Sequence, residues 1–119
     1  MIGAGLASIE ASGMPTPEEF DENLLEAIHY ILRQVLGAKA QDTILFYLDR
    51  KKGLKRESIA SNIEAFDSVM HELLGSSAQK VENLIIKHLC IDLGLEHDAN
   101  PNPNFAEYVQ KLRNRVTVG

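Results

Sequence analysis

The amino-acid sequence predicts an all-α fold, a compact bundle of about five short helices in which the fourth helix is largely buried. Three observations support this fold class. Apolar residues recur three and four positions apart along most of the chain, which is the spacing of one helix face. Glycines follow four of these apolar runs, where helices commonly end. No segment alternates between apolar and polar residues for long enough to predict a β-strand.

The length and charge of the chain limit both its organisation and its partners. A chain of 119 residues fits one domain, and we interpret residues 1–19 as a flexible lead-in and residues 20–119 as the helical domain. The net charge of −5 disfavours wholesale binding to nucleic acid or to anionic membranes. No apolar run approaches the roughly 18–20 residues that span a bilayer, and no secretory signal is present. We therefore expect a cytoplasmic protein without a membrane anchor.

The first three helices are predicted from their apolar runs and their ends. Helix one spans about Asp21 to Leu36, and helix two spans about Lys39 to Lys52. Ser61 and Glu64 have the spacing of a capping box, S-x-x-E, so helix three is expected to begin there. This third helix ends before Gly75.

Helices four and five complete the predicted bundle. Helix four extends from Ser76 or Ser77 to the residue before Gly94, and its polar residues fall on one narrow arc. A helix that is apolar nearly all round is a buried helix, so we expect helix four at the centre of the fold. After a proline-containing loop, Asn104 and Glu107 predict the N-terminal cap of a short fifth helix.

Glu26 and His29 form the sequence pattern that most resembles a metal site. Glu-x-x-His is the spacing used by di-iron carboxylate bundles, but those sites need two such pairs and two further glutamates. Only one pair is present, so we interpret it as a surface pair. The other histidines, His71, His88 and His97, are not expected to form a ligand set with it. We therefore predict no metal site and no cofactor.

The other sequence patterns that could indicate catalysis or metal binding are also incomplete. Cys90 lies between Leu89 and Ile91, where apolar surroundings make a thiol inert, so a structural role is expected. The polar loop that starts at Asp98 has the odd-position oxygens of an EF-hand, but Pro103 stands where that loop requires glycine. We predict that the chain is not an enzyme.

Helix one is the predicted partner interface. Its apolar residues spread over more than one face, which suggests that part of this surface is buried against a protein partner or a second copy of the chain. The candidate interface residues are Leu24, Ile28, Ile31, Leu32 and Val35.

A concentrated basic cluster supports an alternative, a nucleic-acid-binding regulator. Five of the 12 basic residues lie within seven positions, and we call them the basic cluster: Arg50, Lys51, Lys52, Lys55 and Arg56. Cations at the end of helix two also complement the helix dipole. Because the chain is acidic overall, we favour this structural interpretation over nucleic-acid binding.

From the second helix onward, residues 44–97 resemble a small helical family found mainly in archaea, the nitrosopumilus output domain of the fifth class. The matching features are the Y-L-x-x-K-x-G-L junction at Tyr47–Leu54, the E-A-F sequence at Glu64–Phe66, the block from Gly75 to Ile86 and the L-G-L sequence at Leu93–Leu95. The resemblance implies a helical module that relays a signal by contacts, and it implies no catalytic residues. We therefore expect a non-enzymatic interaction or signal-output module.

Overall fold

The structure, a computed structural model, describes residues 16–95 and 104–116 and confirms the all-α bundle. The helices are α1 (Pro17–Leu36), α2 (Ala38–Lys52), α3 (Ile63–Leu74), α4 (Ser77–Leu93) and α5 (Phe105–Val116). Two short 3₁₀ turns, Arg56–Ser58 and Ala60–Asn62, connect α2 to α3. These described ranges contain no β-strand, and none of their helices is long and apolar enough to cross a membrane.

Helix α1 begins four residues before its predicted start. Pro17 takes the first helical position, where its missing N–H costs no hydrogen bond. The Thr16 hydroxyl accepts a bond from the Glu19 amide at 3.1 Å, and the Glu19 carboxylate accepts one from the Thr16 amide at 2.9 Å. This capping box makes residues 17–19 part of α1, whereas the predicted lead-in included them. Residues 1–15 of that lead-in lie outside the described residues.

The predicted ends of the first four helices are confirmed, because each stops at the residue before a glycine. Gly53 and Gly94 have φ angles of 66° and 70°, a left-handed conformation that other residues adopt at a cost. The residue after each glycine bonds back into the helix. The amide of Leu54 donates to the Leu48 carbonyl at 3.1 Å, and the amide of Leu95 donates to the Cys90 carbonyl at 2.8 Å.

Of the helix caps predicted at Asn104 and Ser61, the structure confirms only the first. Asn104 caps α5 as expected, since its side-chain oxygen accepts a bond from the Glu107 amide at 2.9 Å. The prediction of a capping box at Ser61 is wrong. Ser61 lies in a 3₁₀ turn and its hydroxyl donates back to the Ser58 carbonyl at 3.3 Å, while α3 begins only at Ile63. The serine hydroxyl therefore stabilises the connection instead of the helix that follows.

Helix α4 is an inner helix of the bundle and contacts α1, α3 and α5. Helix α3 also contacts three helices, α2, α4 and α5, so α4 shares the central position that was predicted for it alone. Seven side chains of α4 are buried: Ala78, Val81, Glu82, Ile85, Ile86, Leu89 and Cys90. Burial is nevertheless incomplete, because Leu84 is 40% exposed and Ile91 is 66% exposed. No helix of the described chain covers that face.

Helix α5 is anchored by Arg113. This guanidinium pairs with Asp21 of α1 and donates to the Ala60 carbonyl of the second 3₁₀ turn at 3.0 Å. It also lies over the Phe20 ring, 4.9 Å from the ring centre, where a cation is attracted to the aromatic face. One side chain therefore connects α5 to two other elements of the bundle.

Candidate functional site

The predicted partner interface on helix one is instead part of the core. Leu24, Ile28, Ile31 and Leu32 are all buried, and only Val35 is substantially exposed, at 46%. Helix α1 packs against both α2 and α4, so apolar residues on more than one of its faces are covered by the chain's own helices. The interface prediction is therefore wrong for four of its five residues.

Exposed apolar surface lies on α4 and on the neighbouring part of α1. Leu84 and Ile91 are two helical turns apart on the same face of α4, and His88 lies between them. The ring of Tyr30 from α1 stacks on the His88 imidazole, with ring centres 4.7 Å apart and planes 18° apart. Tyr30, Leu84, His88 and Ile91 are called the α4 patch below.

All members of the basic cluster are exposed at the end of α2 and in the turn that follows. Some of these cations already contact other side chains of the chain. Lys55 lies 3.9 Å from the Asp49 carboxylate, and the Arg50 guanidinium lies 5.2 Å from the centre of the Phe46 ring. An exposed ion pair of this kind contributes little to stability, but it reduces the local positive potential.

The Glu26–His29 pair is divided between different partners. The Arg56 side chain donates to His29 Nε2 at 3.0 Å, whereas Glu26 Oε1 faces His88 Nε2 at 3.3 Å. Burial, followed by the positive charge of Arg56, lowers the pKa of His29. Glu26, His29 and Arg56 are among the residues that line an open pocket of about 300 Å³. The side chains of Glu26 and His29 therefore contact different partners.

Glu26 belongs instead to a group of possible metal ligands at the α1–α4 contact. His88 Nε2 lies 3.3 Å from Glu26 Oε1 and 3.3 Å from Asp92 Oδ2. The three ligand atoms lie within 4.8 Å of one another. Glu26 and Asp92 are exposed, so water solvates their charges.

A second group with the same residue types lies at the α3–α4 contact. His71 Nε2 is 3.3 Å from Asp67 Oδ1 and 3.2 Å from Glu82 Oε1. Glu82 differs from the other carboxylates because only 3% of its side chain is exposed. Burial raises its pKa to about 10, and the hydrogen bond and negative charge of Asp67 act in the same direction.

The sequence contains part of the signal for both groups. Asp67 and His71, like His88 and Asp92, are four residues apart and therefore lie on one face of a helix. The glutamate that completes each group comes from a neighbouring helix, and no local pattern predicts which helix packs there. Neither group is therefore predicted by a sequence motif, because each one is complete only in the folded bundle.

Cys90 is buried in the core, as the sequence predicts. Burial raises the pKa of its thiol, and the charge of Arg115 opposes this shift only in part. The thiolate that would act as a nucleophile or metal ligand is therefore disfavoured. The burial supports the structural role expected for this residue.

Comparison of the chain with models of protein families, with curated proteins and with solved structures finds no match.

Proposed function

We propose that this chain is a non-enzymatic helical module that contacts another protein through the α4 patch. The observation that carries the proposal is the 66% exposure of Ile91, on a helix whose other side is buried in the core. Leu84 and Tyr30 extend this exposed apolar surface along α4 and across to α1. Apolar and aromatic side chains grouped in this way are typical of contact surfaces.

The charges beside the α4 patch favour a protein as the partner. Lys87 lies on α4 between Leu84 and Ile91, whereas Glu26 and Asp92 flank His88 on the other side. A rim that carries both signs suits a protein surface, because nucleic acid and anionic membranes select for a positive surface.

The resemblance of residues 44–97 to the nitrosopumilus output domain supports a signalling role for this contact. That segment contains all of α4 and therefore most of the α4 patch. In this proposal the module transmits a signal in an archaeal cell by binding a partner protein. The single cysteine agrees with the reducing cytoplasm as the place where it works.

Capture of proteins from native lysate tests the proposal with a matched pair of variants. Ile91→Glu and Phe46→Glu introduce the same charge at two apolar positions that are 66% and 62% exposed. We expect Ile91→Glu to lose the proteins that the wild type captures, and we expect Phe46→Glu to retain them. Circular dichroism confirms that both variants are folded.

Two results would contradict the proposal. One is an identical set of captured proteins for the wild type and Ile91→Glu. The other is salt-sensitive binding to duplex DNA or RNA that Lys55→Glu abolishes and Ile91→Glu leaves intact. That second result would favour the nucleic-acid alternative, because phosphate contacts weaken steeply with salt.

A further inference from the structure

The contact between α3 and α4 brings three potential ligand atoms to one point. Asp67 and His71 lie one turn apart on α3, and Glu82 faces them from α4. His71 Nε2, one oxygen of Asp67 and one oxygen of Glu82 all lie within 4.8 Å of one another. One nitrogen therefore faces two carboxyl groups at the same time.

The protein groups alone do not satisfy this cluster. The Nε2 atom of an imidazole carries at most one hydrogen, so it cannot donate a full hydrogen bond to both carboxyl groups. Glu82 Oε2 is buried without a hydrogen-bond partner, and the buried Asp67 Oδ1 lies 3.3 Å from the same imidazole nitrogen that faces Glu82. A carboxyl group that is buried in this way stays protonated without a cation, and a bound cation would replace that proton.

Two of the three separations between the ligand atoms match those around a small tetrahedral cation. Two ligands bound at about 2.0–2.1 Å to a tetrahedral zinc ion lie about 3.3–3.4 Å apart. The two separations from His71 Nε2 are 3.2 Å and 3.3 Å, and the two carboxylate oxygens lie within 4.8 Å of each other. About half of the His71 side chain is exposed, which leaves a side open to a water ligand.

We propose that Asp67, His71 and Glu82 bind a divalent transition-metal ion such as zinc. Each side chain supplies one ligand atom, and water completes the coordination. One imidazole with two carboxylates suits zinc better than magnesium, which prefers oxygen ligands and keeps most of its water. The site fixes α3 to α4, on a different side of α4 from Leu84 and Ile91.

The group formed by Glu26, His88 and Asp92 provides an internal control. Its nitrogen–oxygen separations, both 3.3 Å, resemble those at the proposed site. Glu26, however, is 57% exposed on its side chain, so a cation there must displace bound water and order a mobile carboxylate. We therefore expect zinc to prefer the site with the buried glutamate.

Calorimetric titration of the full chain with zinc chloride tests the site. We expect one zinc ion per chain for the wild type and for His88→Ala. We expect affinity to fall by about tenfold or more in His71→Ala and in Glu82→Gln. Glu82→Gln preserves the shape of the side chain, and His71 is half-exposed, so both variants should fold, as circular dichroism would verify.

Nuclear magnetic resonance gives a second measurement that does not depend on variants. The imidazole signals of His71 should shift on addition of zinc, and those of His88 should not. The proposal fails if the wild type binds no zinc or if His71→Ala and the wild type bind equally well. It also fails if only His88→Ala loses binding, or if magnesium binds as tightly as zinc.

Discussion

His71 Nε2 lies 3.2 Å from Glu82 Oε1, and this contact connects a half-exposed imidazole to a buried carboxyl group. Because burial and Asp67 raise the pKa of Glu82 to about 10, the metal-free protein keeps this side chain neutral at pH 7. We predict that Glu82→Gln changes the free energy of unfolding by less than about 1 kcal/mol. Glu82→Ala should cost about 2 kcal/mol, because it leaves a cavity between α3 and α4.

Urea denaturation in the presence of a chelator measures both values. If Glu82→Gln were as destabilising as Glu82→Ala, the neutral state of Glu82 would be contradicted.

Substitutions on α1 distinguish its core face from its exposed end. Ile31 is 8% exposed and Val35 is 46% exposed, although both were predicted to form one interface. We predict that Ile31→Glu lowers the free energy of unfolding by more than about 3 kcal/mol, because it buries an unpaired charge. Val35→Glu should change it by no more than about 0.5 kcal/mol. Thermal and urea denaturation measure both effects, and equal stability of the two variants would contradict the packing of α1.

His29 should make stability depend on pH. Burial and Arg56 lower its pKa below the ordinary value of 6.5, so the folded state binds fewer protons than the unfolded state near that pH. The stability due to neutral His29 is therefore present above pH 6.5 and is lost as pH falls through 6.5 towards the lower folded pKa. Between about pH 7.5 and about pH 5, we predict a larger loss for the wild type than for His29→Gln.

The same urea titration at the two pH values provides this comparison. The other histidines are common to both proteins, so the difference between the two isolates His29. Parallel pH dependence would show that its pKa is not lowered.

Cys90 should be protected from alkylation in the folded protein. Its side chain is buried, and burial raises the pKa of the thiol, so both access and thiolate content are low. We predict that iodoacetamide reacts at least about tenfold more slowly with the native protein than with the protein in urea. Mass spectrometry measures the two rates. Rapid labelling of the native protein would contradict the core position of this residue.

The fold was predictable because its signals are local. Apolar spacing and the terminal glycines located the helices, and Asn104 was correctly identified as a cap. The predicted start of α1 is too late because residues up to 19 are assigned to the lead-in, although Pro17 occupies the helical position that favours proline. Ser61 was misassigned because the 3₁₀ turn, formed in the folded connection, takes its hydroxyl.

The surface was less predictable because exposure depends on which helices pack together. Ile31 and Ile91 have the same side chain, yet one is in the core and the other is the most exposed large apolar residue of the described chain. Only the tertiary arrangement distinguishes them. The same limit applies to Glu82, whose partners Asp67 and His71 lie on another helix.

Photo-crosslinking in native lysate tests the proposed contact surface most directly. A photoreactive benzoylphenylalanine replaces Ile91 in one variant and the similarly exposed Phe46 in another. We predict a discrete covalent protein adduct from position 91 and none from position 46, and the mass of the adduct shows whether the partner is a second copy or a different protein. Adducts from position 46 alone, or from neither position, would contradict an interface at the α4 patch.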